Sequence, residues 1–495
     1  MRLTAQLSST MPQELSESIS QLKKKKWVNL HGLITCATEA LGELTCTSMS
    51  FLGRGSYNTV YKLSFSSGTQ VAASVSNNDE EDFNPESKRS EIEAMRFVRE
   101  SGLYPDVPVP KVYAWDTTFK NPAGAPYVLM DIVEGVTLQD LRDDKGLRGL
   151  DTLPYSQQLS IVKALARLQA LLSKPTTFDE IGSITSNEKG EHVVGPLMSL
   201  TERSLGGPYK SMVELWRAQL EDQIMYALQE WSGIERDNVS QSLSEPFCTP
   251  QTFAELFQKM ASLIPHFNPP KSCLPLVLHH PDLALRNIFF DKLSISSGKP
   301  RITGVIDWSG TQILPLILSA KFPDDLITTG DDPCERPGYP DENWRSVSCD
   351  WTSLGDTSQW PQAFRGPGEV VDHIPPAQAM VRRFYLRAYF SACFAEQLNL
   401  VHGDSNLAHA TIFADAPYYL KFHEMVCNGW ISWVEHASWI RETYWRLRLS
   451  SSGSGTESDA LVIGPNVYRN AVEAAVRDLG IFEEAPHLDS DEEDQ

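Results

Sequence analysis

The most informative part of the sequence is His280-Pro281-Asp282-Leu283-Ala284-Leu285-Arg286-Asn287, with Ile306-Asp307-Trp308 further along the chain. It supplies a carboxylate and an amide five residues apart, and then a second carboxylate at the end of an apolar run. The flanking residues 274–278 and 288–290 are mostly apolar, so the polar residues are predicted to lie on loops between short buried strands. An ordinary polar turn is the alternative for any one of these residues, but it accounts poorly for all three together.

The chemistry that needs such a set is phosphoryl transfer from Mg·ATP. One carboxylate accepts the proton of the attacking hydroxyl, while an Asn and a second Asp hold the metal ions that bridge the phosphates. A metal-dependent hydrolase could use the same carboxylates, but such enzymes often have several His ligands, and His279 and His280 have no second cluster nearby.

The pattern His280-x-Asp282-x4-Asn287 with Asp307-Trp308 resembles the aminoglycoside phosphotransferase and choline kinase-like family. That family shares the protein-kinase fold but carries Asp-Trp in place of Asp-Phe-Gly, and the resemblance is to a fungal branch of unassigned substrates. It implies Asp282 as the catalytic base, Asn287 and Asp307 as Mg²⁺ ligands, and His280 as a brace of the catalytic loop. The resemblance covers roughly residues 40 to 450.

A second motif is the segment 53–61, Gly-Arg-Gly-Ser-Tyr-Asn-Thr-Val-Tyr. Glycines two residues apart let a backbone close over phosphates and offer N–H donors, although alone they often mark a hairpin turn. The β-prone flanks predict strand, glycine loop, strand, turn and strand, which is the order of a kinase N-terminal lobe. The predicted phosphate-covering residues are Gly53, Gly55, Ser56, Tyr57, Asn58 and Val60, with Asn58 where a third glycine is usual.

Two further segments complete the predicted ATP site. A helix is expected after Asn84, a favourable N-cap followed by proline. Glu91 within it occupies the position that, in the resembling fold, pairs with a strand-three Lys or Arg. The run 126–135 is predicted to be a buried strand ending at a hinge between two lobes. There the backbone of Asp131, Ile132 and Val133 would meet the adenine.

Ser74 departs from the pattern that the resemblance implies. An Arg or Lys at this position would hold the α- and β-phosphates and pair with Glu91, and a serine supplies no charge. Three interpretations stay open: another cation such as Lys62 or Arg54 substitutes, the enzyme is slow, or the chain is a pseudokinase that binds without turnover. The intact motif at 280–307 favours an active enzyme. A smaller departure is serine at 309, where an acidic residue is common.

Composition limits the partners. A formal net charge of −21 argues against a nucleic-acid substrate, because phosphate backbones bind cationic surfaces. Four aspartates follow the Asp307 segment and fit either a cationic substrate or a solvated acidic loop: Asp324, Asp325, Asp331 and Asp332. Eight cysteines without Cys-x2-Cys spacing predict neither a zinc site nor a disulfide framework.

No apolar run approaches the roughly 20 residues that span a bilayer, so no membrane association is expected. We expect the cytosol as the location of the protein. The alternative is a mitochondrial presequence, indicated by Arg2 and the lack of acidic residues in the first thirteen positions. Glu14 and Glu17 interrupt that pattern early.

Four parts are predicted along the chain. A helical lead-in covers residues 1–48, the nucleotide-binding N-lobe 49–136, and the catalytic and substrate-binding C-lobe 137–449. Residues 450–495 are predicted to be a flexible linker, a short helix and an acidic tail. Within the C-lobe, residues 330–372 are rich in Pro, Gly, Asp and Trp and predict a long loop or insertion.

The sequence therefore predicts an α+β, protein-kinase-like fold of two lobes, with a small β-rich N-lobe and a large, mostly helical C-lobe. The predicted activity is ATP- and Mg²⁺-dependent phosphorylation of a small-molecule hydroxyl. A protein substrate fits less well, because no Asp-Phe-Gly or Ala-Pro-Glu follows. The competing hypothesis is a pseudokinase that binds protein partners, with the acidic tail as an attachment. The choice between ATP and GTP stays open.

Overall fold

The computed structural model describes residues 15, 19–42, 45–141, 149–231, 249–326, 376–402, 407–428, 440 and 444. The predicted loop at 330–372 and the predicted linker, helix and acidic tail at 450–495 lie outside these residues, as do Asp331 and Asp332.

A five-stranded antiparallel sheet forms the N-terminal lobe, in the spatial order β1-β2-β3-β5-β4. The strands are β1 (Cys46–Arg54), β2 (Asn58–Phe65), β3 (Gln70–Ser76), β4 (Val112–Asp116) and β5 (Tyr127–Met130). Along β2, half-buried and buried residues alternate, as expected of a strand with one face on a core. Helix α1 (Leu30–Leu41) packs its buried side chains into that core.

Helix α2 (Pro85–Glu100) lies between β3 and β4 in the sequence. The Asn84 side chain accepts hydrogen bonds from the backbone N–H groups of Glu86 and Ser87, and Pro85 is the first helical residue, so the predicted N-cap is confirmed. The following β5 leads into the second lobe at residue 131.

The second lobe is mostly helical. Its helices are α3 (Tyr155–Leu172), α4 (Met212–Gln229), α5 (Pro250–Leu263), α6 (Lys292–Ser296), α7 (Leu316–Ser319), α8 (Pro376–His402) and α9 (Leu407–Asn428). Its short strands are β6 (Val136–Thr137), β7 (Ser183–Ser186), β8 (His192–Gly195), β9 (Leu276–His279), β10 (Ile288–Phe290), β11 (Ile302–Val305) and β12 (Gln312–Pro315). They form three small sheets, in the orders β11-β10-β6, β12-β9 and β7-β8.

Helix α2 belongs to the sequence of the first lobe but packs into the core of the second. Its Ile92, Met95 and Val98 join the hydrophobic core that includes α3 and β9. Glu93, which is buried, contacts His192 of β8 at 3.2 Å, and the Phe97 and His192 rings meet edge to face. The β7–β8 hairpin therefore fixes the position of α2 relative to the second lobe.

The predicted fold class is confirmed, since a strand-rich N-terminal lobe precedes a largely helical C-terminal lobe. Among the helices of the described residues, none combines the length and the hydropathy that crossing a membrane requires.

Candidate active site

The loop between β9 and β10 holds the predicted catalytic base. Asn287 donates from Nδ2 to the backbone oxygen of Asp282 at 2.9 Å and to its Oδ2 at 2.8 Å. Arg286 contacts the other carboxylate oxygen of Asp282, and also lies 3.4 Å from Asp324. The carboxylate is thus oriented by an amide on one oxygen and a guanidinium on the other.

Two residues brace this loop from within the protein. His280 Nε2 lies 3.2 Å from the backbone oxygen of Ile306, and its ring meets that of Trp308 edge to face. Burial lowers the pKa of His280 to about 4, so the imidazole is neutral at physiological pH. Asp325 accepts a 2.7 Å hydrogen bond from the backbone N–H of Leu285, so this aspartate supports the loop.

Asp307 lies in a tight turn after β11. Its φ of 62° is in the left-handed region, which Asp tolerates better than most residues. Trp308 is fully buried and donates from Nε1 to the Val305 oxygen at 3.0 Å, while the Ile306 N–H donates to the Asn287 oxygen at 2.9 Å. The turn is therefore tied directly to the loop that carries Asp282.

The electrostatic surroundings of Asp307 are acidic. Asp307 is exposed, yet the surrounding protein partly desolvates its carboxylate, and this desolvation raises its pKa. Nearby Glu91 and Asp282 raise the pKa further, while Lys88 and a hydrogen bond from Ser309 lower it. A site where carboxylates converge in this way favours a bound cation.

These residues fit a Mg²⁺ ion held together with phosphates. The amide nitrogen of Asn287 is used by Asp282, which leaves the amide oxygen for a metal, and Asp307 adds a carboxylate. Across the described ranges no group of three His, Cys, Asp or Glu could hold a metal by itself. Mg²⁺ commonly takes only one or two protein ligands and completes its shell with phosphates and water.

The glycine loop joins β1 to β2. The Gly55 N–H donates to the Asn58 oxygen at 2.9 Å and closes the turn. Asn77, just after β3, donates from Nδ2 to the oxygens of Gly55 and Ser56, and its Oδ1 accepts from Thr59 Oγ1 at 2.6 Å. Asn77 has no signal in the sequence, because nothing there links it to a turn about twenty residues earlier.

The remaining members of the predicted loop lie as its register dictates. Gly53 pairs with Val60 across the two strands, and Tyr57 is exposed at the tip. The Tyr57 oxygen accepts from the Asn77 N–H at 2.7 Å. The backbone from Gly55 to Tyr57 is thus held at three points by one buried asparagine.

The predicted glutamate on α2 has a partner that no sequence pattern indicates. Ser74 pairs with Val60 and Val128 in the sheet and offers no charge. Lys88 instead lies one turn before Glu91, with Nζ 2.6 Å from Glu91 Oε2. Among the described residues, neither Lys62 nor Arg54, the substitutes considered from the sequence, forms an ion pair with Glu91.

A further carboxylate, Glu202, enters the same neighbourhood from the segment between β8 and α4. Its backbone oxygen accepts a 2.7 Å hydrogen bond from the Asn84 side chain, and its φ is 62°. Desolvation raises its pKa, Lys88 lowers it, and Glu91 and Asp307 raise it again. Sequence patterns gave no signal for Glu202, because it belongs to no motif and comes from a connecting segment.

The predicted hinge follows β5, but Asp131 has structural contacts of its own. Its N–H donates to the Lys111 oxygen at 2.9 Å, and its carboxylate accepts from the Lys111 N–H and the Tyr113 hydroxyl. In the described structure, no backbone hydrogen bond uses the N–H groups of Ile132 or Val133. Asp131 therefore fixes the start of β4, while the N–H groups of Ile132 and Val133 take no part in these backbone hydrogen bonds.

Comparison with known proteins places this site in a family context. The family model described as "Phosphotransferase enzyme family" matches residues 49–317, which is more than half of the chain. These residues include the glycine loop, Glu91, the hinge, Asp282, Asn287 and Asp307.

Among curated proteins, the chain is similar to a subtelomeric hrmA-associated cluster protein of Aspergillus fumigatus, with 25% identity over 338 residues. That match covers 60% of this chain and 64% of the relative, so the chain spans less than two thirds of the relative's length. It is also 25% identical over 317 residues to the altered inheritance of mitochondria protein 9, mitochondrial, of Zygosaccharomyces rouxii, covering 54% of this chain and 48% of that protein.

Among solved structures, the chain is similar to aminoglycoside phosphotransferase APH(4)-Ia, with a TM-score of 0.40 and 14% identity. The match covers 91% of this chain and 99% of that one.

Proposed function

The chain belongs to the phosphotransferase enzyme family, and we propose that it transfers the γ-phosphate of ATP to a hydroxyl of a small molecule with the help of Mg²⁺. Asp282 accepts the proton of the acceptor hydroxyl, and Asn287 and Asp307 hold the metal. The backbone of the glycine loop covers the phosphates, and the hinge at Ile132 and Val133 contacts the adenine.

One observation carries this proposal: the loop with Asp282 and the turn with Asp307 are bonded to each other through Asn287. Asn287 donates to Asp282 from its side chain and accepts from the Ile306 N–H with its backbone oxygen. A base and two metal ligands fixed relative to one another are what an in-line transfer requires, because such catalysis depends chiefly on positioning.

Two exposed charged side chains lie near Asp282, whose own side chain is 14% exposed. Arg286 contacts the Asp282 carboxylate, and Asp324 lies 3.4 Å from the Arg286 guanidinium. An acceptor that approaches Asp282 would meet these two side chains first, so we propose a polar acceptor with hydroxyl groups. The curated relative named as mitochondrial makes mitochondria an alternative to the cytosol as the place of the reaction.

Calorimetry with Mg·ATP tests the metal and nucleotide part of the proposal. We expect the native chain to bind ATP only with Mg²⁺ present, and Asp307→Asn to lose most of that binding. Asp324→Asn removes a nearby exposed carboxylate without touching the predicted metal ligands, and serves as the matched control. No binding by the native chain at millimolar nucleotide would overturn the proposal.

The pseudokinase alternative is tested without knowing the acceptor. Water can replace the acceptor hydroxyl as the nucleophile, so slow release of inorganic phosphate from ATP reports the transfer chemistry itself. We expect slow release by the native chain, and a loss of at least about 10² in rate for Asp282→Asn with nucleotide binding retained. Nucleotide binding with no release above that of Asp282→Asn would favour the pseudokinase.

A further inference from the structure

A phosphotransferase of this kind needs a cation on the nucleotide phosphates, and the strand position that normally supplies it is Ser74 here. We propose that Lys88, on helix α2, is the residue that binds the nucleotide phosphates in this chain. The inference rests on the proposed function and assigns to the helix a role that would otherwise belong to the third strand.

The position of Lys88 fits this role. Residues three apart in a helix share a face, so Lys88 and Glu91 project from α2 in the same direction. The Lys88 ammonium lies 2.6 Å from Glu91 and 3.3 Å from Asn58 Oδ1 in the glycine loop. It therefore lies between the helix and the loop that would cover the phosphates.

The hydrogen-bonding capacity of Lys88 supports the same conclusion. An ammonium group has three N–H donors, and Glu91 and Asn58 take two of them in the described structure. The Lys88 side chain is only 6% exposed, so the third donor is largely shielded from solvent. A phosphate oxygen that enters beneath the glycine loop would satisfy it.

The contacts of Glu91 point the same way. Glu91 already accepts a hydrogen bond from Ser309 at 3.0 Å and so has a second partner besides Lys88. A buried lysine is costly unless it is well paired, and a site beside the metal and phosphates gives it a function there.

The other two cations suggested by the sequence fit less well. Arg54 is exposed at the end of β1. Lys62 lies in the middle of β2, opposite Ser50 and Ala72 of the neighbouring strands. No ion pair joins either side chain to Glu91 within the described residues, whereas Lys88 contacts both Glu91 and the glycine loop.

Calorimetric binding of Mg·ATP and of adenosine by Lys88→Met tests the inference. We expect the affinity for Mg·ATP to fall about 10- to 100-fold, the usual effect of losing a charge-assisted hydrogen bond. Adenosine has no phosphates, so its affinity should stay within about 2-fold of the native value. Lys62→Met removes a cation from the same lobe and should leave both affinities unchanged.

A second pair of variants covers the case that Lys88→Met leaves Glu91 unpaired and the protein unfolds. Glu91→Gln removes that carboxylate, and Lys88→Met is then made in the Glu91→Gln background. The double variant should again bind Mg·ATP about 10- to 100-fold more weakly than Glu91→Gln alone. Adding Ser74→Arg to Lys88→Met should restore part of the lost ATP affinity, because the cation then returns from the strand.

The results separate the inference from the function on which it rests. If the native chain binds Mg·ATP and Lys88→Met binds it equally well in both backgrounds, Lys88 is not the phosphate ligand and the proposed function stands. If Lys62→Met shows the loss instead, the cation comes from β2 and the inference is overturned. If the native chain itself does not bind Mg·ATP, the proposed function fails and the inference with it.

Discussion

Ser309 donates a 3.0 Å hydrogen bond from Oγ to Oε2 of Glu91. Both side chains are buried, and the bond joins the turn that follows Asp307 to helix α2. The same carboxylate oxygen also receives the Lys88 ammonium. Glu91 therefore connects helix α2 directly to the turn after Asp307, and through Lys88 to Asn58 at the end of the glycine loop.

This hydrogen bond explains why a serine suits position 309, since its hydroxyl donates to Glu91. It also predicts the effect of an acidic residue at that position. Ser309→Asp places a second carboxylate against Glu91, so we expect it to lower the free energy of unfolding by about 3 kcal/mol or more. Ser309→Ala, which only removes the hydrogen bond, should cost about 1.5 kcal/mol. Urea unfolding measures both.

The carboxylate repulsion has its own control. In the Glu91→Gln background, Ser309→Asp should cost no more than Ser309→Ala, because the like charge is gone. Equal stabilities of Ser309→Asp and Ser309→Ala in the native background would contradict this account.

Asn77 gives the second prediction, for the order of the glycine loop. Asn77→Ala removes the side-chain donor to the Gly55 and Ser56 oxygens and leaves Thr59 without its partner. We expect Mg·ATP affinity to fall about 3- to 10-fold, because binding must then order the loop. The matched control is Asn78→Ala, whose side chain makes only an exposed 3.4 Å contact with the Asp82 oxygen. Equal affinities of the two variants would show that Asn77 does not preorganise the loop.

Much of the fold could be predicted from the sequence because its signals are local. The N-cap at Asn84, the alternation along β2 and the apolar runs around 280–287 each depend on a few neighbouring residues. The packing of α2 against the β7–β8 hairpin could not be predicted in this way. It depends on contacts such as Glu93 with His192, which are about a hundred residues apart.

The same distinction between local and long-range signals applies to the residues of the candidate site. Asp282, Asn287 and Asp307 were recognisable because they form a short pattern on one loop and on the turn after β11. Lys88 was not, because a lysine on an amphipathic helix usually extends into solvent, and only the folded chain shows it 6% exposed against Glu91. Asn77 and Glu202 reach the site from other segments and share no motif with it.

Asp307 gives a prediction about stability. Desolvation and the carboxylates of Glu91 and Asp282 raise its pKa in the folded protein. Asp307 loses its proton at a higher pH in the native state than in the unfolded chain. As pH rises from the ordinary pKa of an aspartate through the raised pKa of Asp307, the free energy of unfolding therefore falls. At pH values above this window Asp307 is ionised in both states, and the native state has the full free-energy cost of the charge.

Asp307→Asn should therefore stabilise the protein without nucleotide, with a small rise in Tm of about 1–2 °C at pH 7.5, since solvent screens part of the effect. Asparagine also tolerates the positive φ of this position. In saturating Mg·ATP the native chain should have the higher Tm, because the ligand stabilises the native chain and not Asp307→Asn. Calorimetric scans with and without Mg·ATP measure both, and a lower Tm for the variant in both conditions would contradict the prediction.

His280 gives the last prediction, with the opposite dependence on pH. Burial lowers its pKa to about 4, so between about pH 4 and the ordinary value of 6.5 the unfolded chain binds a proton that the native chain does not. The contribution of His280 to stability is full above about pH 6.5 and is lost as pH falls through that window, by at most about 1.4 kcal/mol per pH unit.

Urea unfolding at pH 7, 6 and 5 should show a shallower decline for His280→Gln, whose amide can still donate to Ile306, than for the native chain. His31→Gln, at an exposed position on α1, is the matched control. An unchanged slope in His280→Gln would show that the imidazole titrates freely in the native protein and does not brace the loop that carries Asp282 as a neutral donor.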